Sequence, residues 1–164
     1  MRKVIVIGSP GSGKSVFSRK LREKTGLPIY YLDVIYHRPD GTFMPNDQFE
    51  TEINKIMEKD CWIIDGNYGS RSIESRLEKC DTVFLLDYPV DVCIEGARSR
   101  IGNNREDYPW AEEDFKDDFE QWIRDFPITR LPKIYELLEK YRDIREIRVF
   151  RSREEADDYL KEFS

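Results

Sequence analysis

At 164 residues the chain is long enough for one domain with a sizeable core and too short for that domain plus an independent second one. Its 27 basic and 33 acidic residues give a formal net charge of −6, which argues against broad, nonspecific attraction to nucleic acid or to an anionic membrane. No apolar run of membrane-spanning length and no signal-peptide pattern occurs, so a soluble, cytoplasmic protein is expected.

The first predicted element is a buried strand over residues 3–7, Lys3-Val4-Ile5-Val6-Ile7. Gly8, Ser9, Pro10, Gly11, Ser12, Gly13, Lys14 and Ser15 follow it, and Val16 leads into a helical pattern, VFSRKLREK. Glycines at these positions let the backbone curl so that its N–H groups and the positive end of the next helix face a phosphate. In such a loop Lys14 reaches the β- and γ-phosphates of ATP and the Ser15 hydroxyl holds Mg²⁺. Gly- and Ser-rich turns also occur without ligands, but the preceding strand and the following helix supply the context that the motif requires.

A second strand is predicted at about 28–32, running into Asp33, with Tyr36, His37 and Arg38 just beyond. Asp33 at a strand's C-terminal edge is placed to orient or deprotonate an acceptor hydroxyl; the alternative is an ordinary polar residue at a strand end. His37, the only histidine, supports no triad and is read as a surface or substrate-loop residue. Phe49, Ile53, Ile56 and Met57 then make one face of a helix after a possible capping box from Asp47 to Glu50.

The third strand, about 61–65, ends in Asp65-Gly66-Asn67-Tyr68. A carboxylate there is where a second Mg²⁺-directed group belongs, although Asp-Gly is also a common turn pair. Arg71 and Arg76 follow as candidates to hold an acceptor's anionic part, or to pair with Glu74 or Glu78 on a helix surface. A fourth strand is expected at about 82–86 and a fifth at about 146–150, with helical pieces at 91–101, 111–126 and 132–142 between them. Within that interval Arg98, Arg100 and Arg105 flank Gly102-Asn103-Asn104, which suits a lid at about 98–110 carrying charge-neutralising guanidinium groups; solvated arginines are the alternative. Phe115, Phe119, Trp122 and Phe126 recur at helical spacing and are read as a packing face, the alternative being a base-stacking platform. A last helix presents Ala156, Tyr159, Leu160 and Phe163 after a second capping box from Ser152 to Glu155. Cys61, Cys80 and Cys93 lack metal-ligand spacing and are expected as buried, reduced thiols.

Strands alternating with helices predict an α/β domain: a five-stranded parallel sheet with helices on both faces, in three layers, formed by the whole of residues 1–164 with the lid as a helical insertion. The segments GSPGSGKS, LPIYYLDVIYH, CWIIDGNY, CDTVFLLDYP and LPKIYELLEKY together resemble the adenylate-kinase-related P-loop family labelled FlaR-like, or DNA topology modulation protein-like, over nearly the whole chain. That resemblance implies a nucleoside- or nucleotide-kinase-like fold with strand order 2-3-1-4-5, an ATP site at the loop, an arginine-bearing lid, and a base pocket near the lid helix and Arg151-Ser152-Arg153. Adenylate kinases proper continue the third strand as Asp-Gly-Phe-Pro-Arg, whereas here Asn67, Tyr68 and Gly69 follow Asp65-Gly66, so the arginine that grips an AMP phosphate is absent from that place.

The expected activity is ATP- and Mg²⁺-dependent phosphoryl transfer to a small acceptor, a nucleoside or nucleotide, by a monomer. Lys14, Asp33, Asp65, Arg98, Arg100 and Arg105 form the catalytic set, and Ser15 and Asp65 the metal set. The rival is an ATP-binding regulatory protein whose lid position is read by a partner. Direct DNA binding is disfavoured by the acidic balance and the lack of a basic recognition helix. A guanine-specific switch protein is disfavoured by the lack of an Asn-Lys-x-Asp signature.

Overall fold

The computed structural model describes residues 1–163. Five strands form one parallel sheet: β1 (Lys3–Gly8), β2 (Ile29–Tyr31), β3 (Trp62–Asp65), β4 (Thr82–Leu86) and β5 (Glu146–Phe150), in the order β2-β3-β1-β4-β5. This is the expected order. The central strand β1 pairs Val6 with Asp65 of β3 and Gly8 with Leu86 of β4, so the ends of β1, β3 and β4 meet at one edge of the sheet.

Alternation along the strands builds two cores. Ile5, Ile7, Trp62, Ile64, Val83 and Leu85 face α3 (Asn46–Met57), α4 (Gly69–Leu77) and α7 (Leu131–Tyr141). Val4, Val6, Ile63, Phe84, Leu86 and Phe150 face α1 (Lys14–Thr25), α5 (Val90–Ser99) and α8 (Arg153–Lys161). The helix α6 (Asp117–Thr129) serves both, burying Ile123 in one cluster and Phe126 in the other. Strands covered on both faces read as continuous apolar runs, and β1 and β4 do. The edge strand β5 instead exposes Glu146 and Arg148.

Several elements depart from expectation. Tyr31 ends β2, and Asp33 lies not at a strand end but in the first turn of a short helix, α2 (Leu32–Tyr36). Beyond it the chain turns back on itself through a bridge between His37 and Phe43. The Asp47–Glu50 capping box does not form, because α3 starts two residues earlier than that box requires, with Pro45 as its unassisted N-cap. At α8 the box forms in altered register: Ser152 Oγ accepts the Glu155 N–H at 3.2 Å, while the Glu155 carboxylate takes the N–H of Arg151 at 2.7 Å.

Residues 100–116 contain no helix, so the segment expected as a helical lid is an irregular loop, and α6 begins at Asp117 rather than at 111. Glu112 explains the delay. Its carboxylate pairs with Arg100 and Arg105, and its carbonyl accepts the Gly102 N–H at 2.7 Å, which holds it out of the helix. Asp117, Asp118 and Glu120 then sit in the first turn, where they complement the helix dipole. All three cysteines are free; Cys80 and Cys93 are buried, whereas Cys61 is part-exposed. No helix among the described residues is long and apolar enough to cross a membrane.

Candidate active site

The loop after β1 turns where only glycine fits. A side chain at Gly8, whose φ is 150°, would place its Cβ 2.3 Å from the Leu86 carbonyl oxygen, and one at Gly11, with φ 78°, would lie 2.0 Å from that of Cys93. The loop is therefore pressed between β4 and α5. Gly13 caps α1 in the left-handed region, and the first turn of α1 has neither a side-chain cap nor an acidic residue. Its N–H groups and dipole are left for an external anion. Lys14 Nζ folds back on the loop, donating to the carbonyls of Gly8 at 3.1 Å and Ser9 at 3.0 Å. Ser12 also braces the loop, donating from Oγ to the Ser9 carbonyl at 2.6 Å.

Beside this loop, the end of β3 presents Asp65, which is buried and has one carboxylate oxygen, Oδ2, without any partner. Burial raises its pKa to about 6, against the opposing pull of Lys14 and of the neighbouring Ser15 hydroxyl. Burial likewise lowers the pKa of Lys14, while Asp65 and Asp33 support its charge. No cluster of three or more acidic, histidine or cysteine side chains among the described residues forms a complete metal cage. A hard cation that keeps several waters and shares phosphate oxygens needs no such cage. The Ser15 hydroxyl and the orphaned Asp65 oxygen fit its preference for oxygen donors.

These groups open into one cavity of about 1030 Å³. Asp33 enters from α2 and accepts a hydrogen bond from the Tyr68 hydroxyl. Tyr68 is the one non-glycine with positive φ, 55°, among the described residues. Such a conformation is rare for a bulky side chain. Tyr36 packs on Tyr68 at 5.2 Å between ring centroids, and His37 contacts Tyr36, Tyr108 and Trp110, giving this end of the cavity an aromatic wall. The histidine is thus part of a ring cluster, with no triad around it.

The loop over residues 100–116 lies across the site and is tied down on α1 and β2. Arg19 pairs with Asp107 at 3.3 Å, Arg22 with Glu106 at 3.1 Å, and the Tyr31 hydroxyl donates to Glu106 at 2.8 Å. Arg100 and Arg105 both line the cavity. Arg100 pairs with Glu112 at 3.3 Å and lies over the Phe119 ring; Arg105 pairs with Asp107 at 3.1 Å and lies over Tyr108. Arg98 is not brought to the site. It points from α5 to solvent, 58% exposed, and pairs with Glu120 at 2.9 Å. Of the loop residues Pro10, Gly11, Ser12, Gly13, Lys14, Ser15 and Val16, all line the cavity, whereas Gly8 and Ser9 lie behind it. The aromatic series is more than packing: Phe119, Trp122 and Phe126 line the cavity, and Trp122 is 46% exposed.

Arg71 and Arg76 do not grip an acceptor here. Arg71 is 91% exposed, 3.9 Å from Glu50. Arg76 is fully buried and pairs with neither Glu74 nor Glu78; it donates instead to the carbonyls of Ser72 at 3.0 Å, Gly66 at 2.7 Å and Asn67. Asn67 in turn makes two bonds to Gly8, accepting its N–H at 3.0 Å and donating to its carbonyl at 2.7 Å. Of the segment after β5, Arg153 lines the cavity, whereas Arg151 pairs with Asp87 at 2.6 Å away from it. The sequence carries no signal for the roles of Asn67, Glu106 and Asp107, since each acts through a partner distant along the chain, nor for that of Arg76, which turns back to backbone carbonyls of its own helix and the preceding turn.

No family model matches the chain. An adenylate kinase of Thermotoga neapolitana is 32% identical over 92 residues, covering 54% of this chain and 40% of that protein. An adenylate kinase of Thermotoga petrophila is 30% identical over the same length and shares. The chain thus aligns with well under half the length of these curated relatives. Among solved structures, a shikimate kinase from Acinetobacter baumannii in complex with shikimate superposes with a TM-score of 0.61 at 18% identity, covering 99% of this chain and 90% of that one. A gluconokinase from Sinorhizobium meliloti gives 0.60 at 15% identity, covering 99% and 89%. The fold is that of the P-loop kinases.

Proposed function

We propose that the protein transfers the γ-phosphoryl group of ATP to a hydroxyl of a small acceptor, of nucleoside or nucleotide size, held beside Asp33. One observation carries the reading: the uncapped N-terminus of α1, Lys14, the half-satisfied Asp65 carboxylate and Asp33 all face one large cavity. Lys14, once turned away from the loop carbonyls, neutralises the transferring phosphate, and the backbone N–H groups of Gly11, Gly13, Lys14 and Ser15 cradle the remaining oxygens. Magnesium, held by the Ser15 hydroxyl and the Asp65 carboxylate, would add positive charge to the phosphate oxygens. Asp33 takes the acceptor's proton, and Arg100 and Arg105 gather the charge that spreads over the phosphoryl oxygens. The loop that carries them excludes water from the transfer.

The reading assigns the chain to the FlaR-like branch of adenylate-kinase-related proteins, supported by Asp65-Gly66-Asn67-Tyr68 and its contacts with Gly8 and Asp33. It takes a cytoplasmic monomer with a small-molecule partner, and not nucleic acid, as the working form. The test is ADP release from Mg·ATP across nucleosides, nucleoside monophosphates and small hydroxylated metabolites, with Lys14→Ala as the control for contaminating kinases. One acceptor is expected to raise ADP release well above the acceptor-free rate in the wild type alone. Tight Mg·ATP binding with no acceptor response across the panel would instead support the regulatory role.

A further inference from the structure

Lys14 has two jobs that conflict. In the ligand-free loop its ammonium group serves the Gly8 and Ser9 carbonyls, and the proposed reaction needs it to leave both for phosphate. Both residues are buried. A buried carbonyl stripped of its donor carries a cost of the same order as a charge-assisted hydrogen bond gained elsewhere returns. The Ser9 carbonyl is secured within the loop, since it also accepts from Ser12 Oγ at 2.6 Å and from the Ser12 N–H at 3.2 Å. The Gly8 carbonyl has no such neighbour. Its second donor is Asn67 Nδ2 at 2.7 Å, reaching across from the end of β3.

We infer that Asn67 is a positioning residue for the phosphate loop: by keeping the Gly8 carbonyl hydrogen-bonded, it releases Lys14 to the nucleotide. The reciprocal bond from the Gly8 N–H to Asn67 Oδ1, at 3.0 Å, fixes the amide in the orientation that presents its NH₂ to the carbonyl. The Asn67 backbone is held in turn. The fully buried Arg76 guanidinium donates to the carbonyls of Gly66 and Asn67, and the Gly66 N–H donates to the Val6 carbonyl at 3.1 Å. Asn67 therefore stands on a segment fixed from both sides while its amide closes a two-bond ring with Gly8. Alanine at 67 would make Lys14 the last donor to the Gly8 carbonyl, so that every approach of Lys14 to phosphate would orphan a buried acceptor.

This inference rests on the proposed nucleotide site and concerns nucleotide binding alone, so it is tested without any acceptor. The dissociation constant of Mg·ADP is measured by calorimetry for wild type, Asn67→Ala, Lys14→Ala and the double variant, with circular dichroism as the check on folding. Asn67→Ala is expected to weaken binding about 10-fold, the effect of one orphaned buried acceptor. On the Lys14→Ala background the same change is expected to do little, less than about 2-fold, because no ammonium group then has to leave the carbonyl. Binding unchanged in Asn67→Ala, or an equal loss on both backgrounds, overturns the inference; the second result would make Asn67 a support for loop shape only. If the wild type itself fails to bind Mg·ADP, the nucleotide site is the reading that falls, and the inference falls with it.

Discussion

Replacing Asp65 by Asn should make the nucleotide-free protein more stable while weakening the magnesium binding proposed for this carboxylate. The carboxyl's pKa rises from an ordinary 3.8 to about 6, burial being the main cause and the nearby Asp33 and Asp107 adding to it. The folded state therefore holds the proton more tightly than the unfolded chain does. Stability from this group is complete below about pH 4, falls as the pH rises to about 6, and stays low above that. A gap of about 2 units at 1.36 kcal/mol each is ~3 kcal/mol of native-state cost at neutral pH, which the isosteric neutral amide avoids. In a domain of this size that corresponds to roughly 6–12 °C in melting temperature. The assay is thermal unfolding of ligand-free protein in chelator from about pH 4 to about pH 8. The Asp65→Asn variant and the wild type should melt together near the acid end, diverge through the window, and remain apart beyond it. Added Mg·ADP should then stabilise the wild type more than Asp65→Asn. A variant no more stable than wild type near pH 8, or a gap that widens toward acid, would refute the claim that Asp65 is held ionised against its solvation.

Arg76→Met keeps most of the side-chain volume but leaves the Gly66 and Asn67 carbonyls without their donor, the Ser72 carbonyl keeping the Ser75 hydroxyl, and should cost about 2–4 kcal/mol in urea unfolding. Gly11→Ala drives a methyl group into the Cys93 carbonyl at a positive φ; a loss of Mg·ADP affinity and at least ~2 kcal/mol of stability is expected, read by calorimetry and melting. Arg98→Ala and Arg100→Ala should separate cleanly in steady-state kinetics. The first removes an exposed ion pair of little energetic weight and leaves turnover intact, whereas the second should lower kcat by about 10²-fold.

The parts of this protein visible in its sequence are those whose cause is local. Apolar runs mark all five strands, and the glycine pattern marks the phosphate loop, because period and backbone freedom are properties of adjacent residues. Asp65 is legible because a strand's end and a carboxylate coincide there. The helix α2 is not, since five residues are too few to show a period, and Asp33 consequently reads as a strand-end residue. Arg98 reads as a site arginine because spacing alone cannot say which side of a helix end a long side chain takes. The late start of α6 and the anchoring of the lid depend on Glu112, Glu106 and Asp107 meeting arginines from other elements, which no single window of sequence contains.

What those distant contacts accomplish is a division of labour among the polar groups at the sheet edge. Arg76 and Asn67 direct their hydrogen bonds to backbone, fixing the ends of β3 and β1 against each other. Their satisfaction leaves Asp65 Oδ2 without a partner and Lys14 on carbonyls that have other donors. An edge whose scaffold is saturated and whose functional groups are not is poised to gain more from a ligand than from any internal rearrangement. It follows that Mg·ADP should stabilise the wild type by more than its contacts with Arg100 and Arg105 can explain, because binding also relieves the cost already carried at Asp65 and Lys14. Comparing the ligand-induced melting shift of Asp65→Asn with that of Arg100→Ala measures the two parts separately. A larger loss of shift in Arg100→Ala than in Asp65→Asn would place the binding energy in the lid instead of at the end of β3.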